Sequence, residues 1–198
     1  MPFRPLRLSL ALALLPVAGT AHANAYREAG KPAAIADSAL QVTPPRDWNR
    51  LSVRPGKRAE TWTLDGEQLN DVTFYGGIEP GAPLVREASK KHAPLPKFTA
   101  RTLLIEVPEL LEGTYRAQKQ IGSFTVTGST PSPFLGAKGV TFTYRYVDRD
   151  DLPREGEARA ALIGGKLYMV TFDAPRLHYF GRTLADFRAL ADTAKLAQ

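Results

Sequence analysis

Cysteine is absent from the 198 residues, histidine occurs three times, and methionine and tryptophan occur twice each. Without a thiol the chain has no disulfide, thiolate zinc site, iron–sulfur cluster, cysteine nucleophile or lipidated cysteine anchor. No hydrophobic run is long enough to span a bilayer, which takes about 20 apolar residues. The best candidate, residues 8–18, is short and contains Pro16. It follows Arg4 and Arg7 and precedes Ala21-His22-Ala23, which places small residues at −3 and −1 of a cleavage site. That order predicts a secretory signal peptide over 1–23, with no transmembrane anchor after processing and a periplasmic or secreted destination. Its removal leaves 175 residues and lowers the formal charge from +6 to +4.

What is present suits one globular domain: 43% hydrophobic and 23% charged residues, with Gly and Pro at 16 each. A chain of this size buries enough surface to stand without disulfides. Residues 24–38 are polar and alanine-rich without apolar period, and read as a leader that need not be ordered. Strands are expected over 39–43, 60–64 and from Val72 through Tyr75, with Trp48 plugging the sheet edge. Residues 79–101 carry Pro80, Pro83, Pro94 and Pro96, which predicts a long irregular connection with at most a short helix over 84–91. Pro108 suits a first helical turn, and Val107, Leu110, Leu111, Thr114 and Tyr115 follow a helical period.

Further strands are expected over 121–127 and 140–147, separated by a loop over 128–139. The second alternates aromatic and apolar groups with Thr141, Thr143 and Arg145, as a half-buried antiparallel strand does. Gly164-Gly165 marks a hairpin between strands over 157–163 and 166–172. Thr183 and Asp186 have capping-box spacing ahead of a closing helix that turns Leu184, Phe187, Leu190, Ala191 and Ala194 to one side. The class is therefore α+β, a single domain over 39–198 with an antiparallel sheet of about six or seven strands and a C-terminal helix packed on it.

Several features resemble the PsbP-like superfamily: Val42-Thr43 followed by Pro44-Pro45-Arg46-Asp47-Trp48, the helix at Glu106-Val107-Pro108-Glu109-Leu110-Leu111, the strand pair about Gly164-Gly165-Lys166-Leu167-Tyr168, and Phe187 in the closing helix. The resemblance covers residues 38–198. It implies an antiparallel sheet flanked by helices and accessory or binding work, and it brings no catalytic residues with it.

Candidate chemistry is sparse. His92 and His178 are the histidines left after processing, on separate segments. His92 closes Lys90-Lys91-His92, a solvated basic patch. His178 lies in an aromatic-rich junction where a structural role outweighs catalysis, and no Gly-x-Ser-x-Gly elbow accompanies it. Asp148, Asp150, Asp151, Glu155 and Glu157 lack EF-hand spacing and read as a solvated hairpin, so no metal and no cofactor are expected. Basic residues are more telling. Arg86, Lys90, Lys91, Lys97 and Arg101 gather in the long connection, and Arg50, Arg54, Lys57 and Arg58 follow Trp48.

These stretches suit an envelope protein or an anionic lipid or glycolipid surface. Export and the lack of a recognition motif argue against nucleic acid. The aromatic set Phe74, Tyr75, Phe142, Tyr144, Tyr146, Tyr168 and Phe172 reads mainly as sheet core. A groove about Phe74, Tyr144, Tyr168 and His178 is the alternative. The reading that results is an exported, non-enzymatic accessory or binding protein of the bacterial cell envelope, whose oligomeric state the sequence leaves open. A small lipid-like carrier and a periplasmic hydrolase using His178 are the alternatives.

Overall fold

The computed structural model describes residues 24–87 and 94–197. The expected signal peptide over 1–23 and the basic residues Lys90 and Lys91, with His92, lie outside the described residues. In chain order the elements are β1 (Ala25–Arg27), β2 (Ala33–Ala34), β3 (Leu40–Val42), β4 (Trp48–Arg50), β5 (Ala59–Thr63), β6 (Asp71–Ile78), α1 (Val107–Lys119), β7 (Ser123–Pro131), β8 (Gly139–Val147), β9 (Pro153–Ile163), β10 (Lys166–Pro175), α2 (Tyr179–Asp192) and β11 (Lys195–Leu196). A 3-10 turn at Leu104–Glu106 leads into α1.

Eight strands form one antiparallel sheet in the order β1-β4-β5-β6-β10-β9-β8-β7, and β11-β3-β2 form a smaller one. The count thus exceeds the six or seven expected. The extra strands are short edge pieces, and two of them arise in the segment read as a leader. β1 pairs with β4, β2 pairs with β3, and Ile35 is fully buried, so the sheets recruit the chain well before Ala39. These strands are too short to show an apolar period, so pairing rather than local sequence defines them.

The hairpin at Gly164-Gly165 forms as expected, with φ of 58° and 72°, the left-handed pair that a tight two-residue turn requires. It joins β9 to β10, and β10 is buried along almost its whole length because both sheet faces are covered there. Leu167 and Met169 point into a core beneath α1, together with Tyr75, Phe142, Tyr144 and Leu111. Tyr168, Val170 and Phe172 point into a second core beneath α2, with Trp48, Trp62, Phe74 and Phe187. Burying a side chain such as Phe187 contributes roughly 2–3 kcal/mol.

α1 buries Val107, Leu110, Leu111, Thr114 and Tyr115, the residues its period selects. α2 begins at Tyr179, a turn earlier than the Thr183–Asp186 spacing suggests. Thr183 lies inside the helix and donates to the carbonyl of Tyr179 at 2.5 Å. Phe180 stacks on Phe172 with ring centres 5.5 Å apart, and Arg182 pairs with Asp65, so tertiary contacts order this first turn. β7 also runs on to Pro131 through residues expected to be loop, because β8 supplies its partners. Residues 84–87 of the long connection are not helical, and Leu84, Val85, Leu95 and Phe98 anchor that connection to the α1 core. Among the described residues no helix is long and apolar enough to cross a membrane.

Candidate functional site

The two basic stretches meet in space. The amide of Arg86 donates to the carbonyl of Pro55 at 2.7 Å, which docks residues 83–87 on the loop that follows β4. Next to them, Gly81 donates to the carbonyl of Phe98 at 2.7 Å and Phe98 to that of Ala82 at 3.0 Å, while Pro83 bridges Lys97. The segments 51–58, 81–87 and 94–98 therefore form one surface above the α1 core, and the chain runs on from it through Arg101 to the turn at Leu104–Glu106, which lies beside β8 and β9.

Some cations of this surface are neutralised locally. Arg58 pairs with Glu79 at 2.8 Å, Lys166 with the same carboxylate at 3.2 Å, and Arg54 with Asp37 at 3.4 Å. Lys166, through its hydrogen bond foremost, and then Arg58 lower the carboxyl of Glu79. Lys57, Arg86, Lys97 and Arg101 are exposed and have no carboxylate within 4.0 Å among the described residues. On the same stretches of chain Val53 is 79% exposed, Leu103 57% and Ile105 75%. Cations with no carboxylate partner among the described residues, on segments that also expose aliphatic side chains, are what a docking surface needs, because the charges steer and the apolar groups hold.

Phe74, Tyr144, Tyr168 and His178 are not brought together. Phe74 and Tyr168 are buried beneath α2, Tyr144 is buried beneath α1, and His178 is exposed at the turn into α2. The adjacent rings of Phe74 and Tyr75 face opposite cores, since successive side chains of a strand alternate. His178 has φ of 72° and sets the chain's entry into α2, its ring edge-on to Tyr179. The acidic hairpin residues disperse as well: Asp148 lies near Arg154, Glu155 near Arg145, and Glu157 near Arg188. Among the described residues no group of three or more histidine or carboxylate side chains is placed to hold a metal.

The most polar part of the interior has no signature in the sequence. At the opposite end of the sheet, Asp173 of β10 is 1% exposed. One carboxylate oxygen accepts from Tyr146 Oη at 2.5 Å and Arg154 Nε at 3.1 Å. The other accepts from Tyr115 Oη at 2.9 Å and Lys119 Nζ at 3.1 Å. Lys119 lies 4.1 Å from the centre of the Tyr115 ring and 4.0 Å from Asp71. Burial alone would raise Asp173, but Lys119 and Arg154 prevail and hold its carboxyl at about 2.

Asp71 goes the other way. Burial above all, then the neighbouring Asp173 carboxylate, pushes its carboxyl up to about 8, and its Oδ1 has no hydrogen-bond partner. Asp148, 3.9 Å from Arg154, completes the charge balance when Asp71 is neutral. Burial raises Tyr115, Tyr144 and Tyr146 well above the ordinary phenol range, so they remain donors. The donors of α1, β8 and β9 converge on one carboxylate of β10, which ties four elements together and leaves Asp173 without a free lone pair for a substrate. Asp71, Lys119, Asp148, Arg154 and Asp173 are spread over the chain and share no sequence motif.

No protein-family model matches the sequence, and no curated protein sequence matches it. Solved structures do match. Cyanobacterial PsbP (CyanoP) from Synechocystis sp. PCC 6803 superposes with a TM-score of 0.54 at 12% identity, over 93% of this chain and 98% of that one. The Ran-binding protein Mog1p of Saccharomyces cerevisiae gives 0.51 at 7% identity, over 89% and 96% respectively. The match extends over nearly the whole of both proteins, and the chain therefore has the PsbP-like fold.

Proposed function

We propose that this is an exported, non-enzymatic accessory protein that docks on an anionic component of the bacterial cell envelope. Residues 51–58, 81–87 and 94–106 make the contact. The observation that carries this reading is the set of exposed Lys57, Arg86, Lys97 and Arg101, without a carboxylate partner among the described residues, on the same segments as exposed Val53, Leu103 and Ile105. Lys90 and Lys91 belong to the same connection in sequence and add to its charge. Export rests on the signal-peptide pattern of residues 1–23. The two named fold relatives are a cyanobacterial PsbP and a Ran-binding protein, so the fold alone does not decide the function and the surface must.

Flotation with vesicles rich in phosphatidylglycerol, compared with phosphatidylcholine vesicles and with an immobilised acidic protein, tests the proposal. Lys97→Glu/Arg101→Glu and Leu103→Asp/Ile105→Asp should each abolish most of the binding to whichever anionic probe the wild type selects, with folding intact. Equal binding by wild type and both variants, or no preference for anionic over neutral probes, would refute it.

A further inference from the structure

Four buried side-chain polar atoms among the described residues have no hydrogen-bond partner, and three of them are donors at one edge of the large sheet: Arg27 Nε, Trp48 Nε1 and Arg50 Nε. A buried N–H left unpaired is unfavourable, so native proteins almost always meet it with an acceptor. Register places the three residues side by side. Arg27 of β1 opposes Trp48 of β4, and Arg50 opposes Ala25 of β1 on one side and Trp62 of β5 on the other. Directly opposed residues share a face, so Arg27, Trp48, Arg50 and Trp62 all lie on the face whose core is beneath α2.

Cations outnumber acceptors at this edge. The guanidinium carbon of Arg27 lies 5.7 Å from the centre of the Trp62 ring, so the side chain reaches over β4 toward Arg50, the residue opposite Trp62. Arg54, on the loop after β4, approaches the Glu60 carboxylate at 3.9 Å, as Arg27 does. Glu60 is fully buried and its oxygens are taken: Trp62 Nε1 donates to one at 2.8 Å and the Ala36 amide to the other at 2.9 Å. The exposed Asp37 lies 3.4 Å from Arg54. Among the described residues Arg50 has no carboxylate within 4.0 Å, and its side chain makes no hydrogen bond. Three guanidinium groups therefore share two carboxylates, and the unused donors sit on β1 and β4.

The cluster is open to solvent. The side chains of Arg27 and Arg54 are 27% and 35% exposed, and Arg50 is half-buried. An acceptor that enters from solvent must be anionic to answer the excess charge, and it must accept from β1, β4 and the following loop together. A phosphate group meets both conditions, because its oxygens are arranged tetrahedrally and each pair of them matches a guanidinium fork.

We infer that Arg27, Arg50 and Arg54 form a binding site for the phosphate group of a monoester, either free in solution or at the head of a lipid. Arg50 supplies donors that no other group uses, and Arg27 completes the site from β1. The segment before Ala39 is then part of the site, since its pairing with β4 is what brings Arg27 there. The site is distinct from the docking surface proposed above, because Lys57, Arg86, Lys97 and Arg101 are not among its donors.

Isothermal titration calorimetry with glycerol 3-phosphate at constant ionic strength tests the site. Wild type should bind, and Arg50→Gln and Arg27→Gln should each weaken binding by about tenfold or more. Arg50→Lys should bind as weakly as Arg50→Gln, since an ammonium lacks the fork. Lys97→Glu/Arg101→Glu should bind this soluble probe like wild type. Thermal melts check folding: without the probe Arg50→Gln should melt no lower than wild type, and the probe should raise the Tm of wild type alone. Flotation on phosphatidic acid vesicles then identifies the source. Vesicle binding that Arg50→Gln weakens as it does the soluble probe marks a lipid headgroup, and any other vesicle result marks a free ester. A wild type that does not bind glycerol 3-phosphate, arginine variants that bind it like wild type, or an equal loss in Lys97→Glu/Arg101→Glu would each overturn the inference.

Discussion

Asp173 shows how much one buried charge can organise. It accepts from Tyr115, Lys119, Tyr146 and Arg154, and a buried ion that loses its partner destabilises strongly. Asp173→Asn should therefore cost about 3–5 kcal/mol in denaturant unfolding. The same substitution at the exposed Asp150 should cost less than about 0.5 kcal/mol. Asp71 gives a pH signature of opposite sign to that of Asp173. A carboxyl held near 8 in the fold and near 3.9 when unfolded binds its proton preferentially in the native state, so its contribution to stability is complete below about pH 4 and is lost as pH rises to about 8. Asp173, held near 2, contributes stability above about pH 4 that is lost as pH falls toward 2. Asp71→Asn should flatten the decline between pH 4 and 8, which for one group reaches at most about 1.4 kcal/mol per pH unit. An unchanged slope would show that the Asp71 carboxyl is ionised in the fold. None of this was visible in the sequence, where Asp71 and Asp173 look like ordinary strand-end acids and Lys119 like a helix-terminal cation.

Among elements, those with a long period were legible and those made by their neighbours were not. The alternation from Val140 to Tyr146 and the helical spacing from Val107 to Tyr115 both reappear as burial patterns, because each element has one covered face. β1, β2 and the second half of β7 contain too little apolar sequence to declare themselves, and the first turn of α2 owes its order to Phe172 and Asp65. Gly156 of β9 is a tighter constraint than its place in an acidic hairpin suggests. A Cβ there would stand 2.2 Å from the Tyr144 ring, so the strand depends on having no side chain at that point. Gly156→Ala should displace that ring and cost roughly 1–3 kcal/mol, read as a lower denaturation midpoint with an unchanged slope. Tyr144→Leu in the same background should recover part of the loss.

At the scale of the whole molecule, the long connection and the loop after β4 are distant in sequence yet hydrogen-bonded in space. Both basic stretches are legible in the sequence, and the fold docks Arg86 on the loop that carries Val53 and Lys57 and sets Lys97 beside Pro83, with Arg101, Leu103 and Ile105 following on the way to α1. The buried network lies at the other end of the sheet, so binding and stability separate: substitutions of Arg101 or Ile105 should leave the unfolding free energy within about 0.5 kcal/mol of wild type. The most direct test of the proposed function is site-specific photocrosslinking in intact envelopes. A photoreactive residue replaces Ile105 in one protein and, in another, Leu177, which is 83% exposed and lies at the end of β10 near the buried network. Adducts with an envelope component from position 105 and none from position 177 are the expected result. Adducts from position 177 alone, or equally from both, would contradict the account.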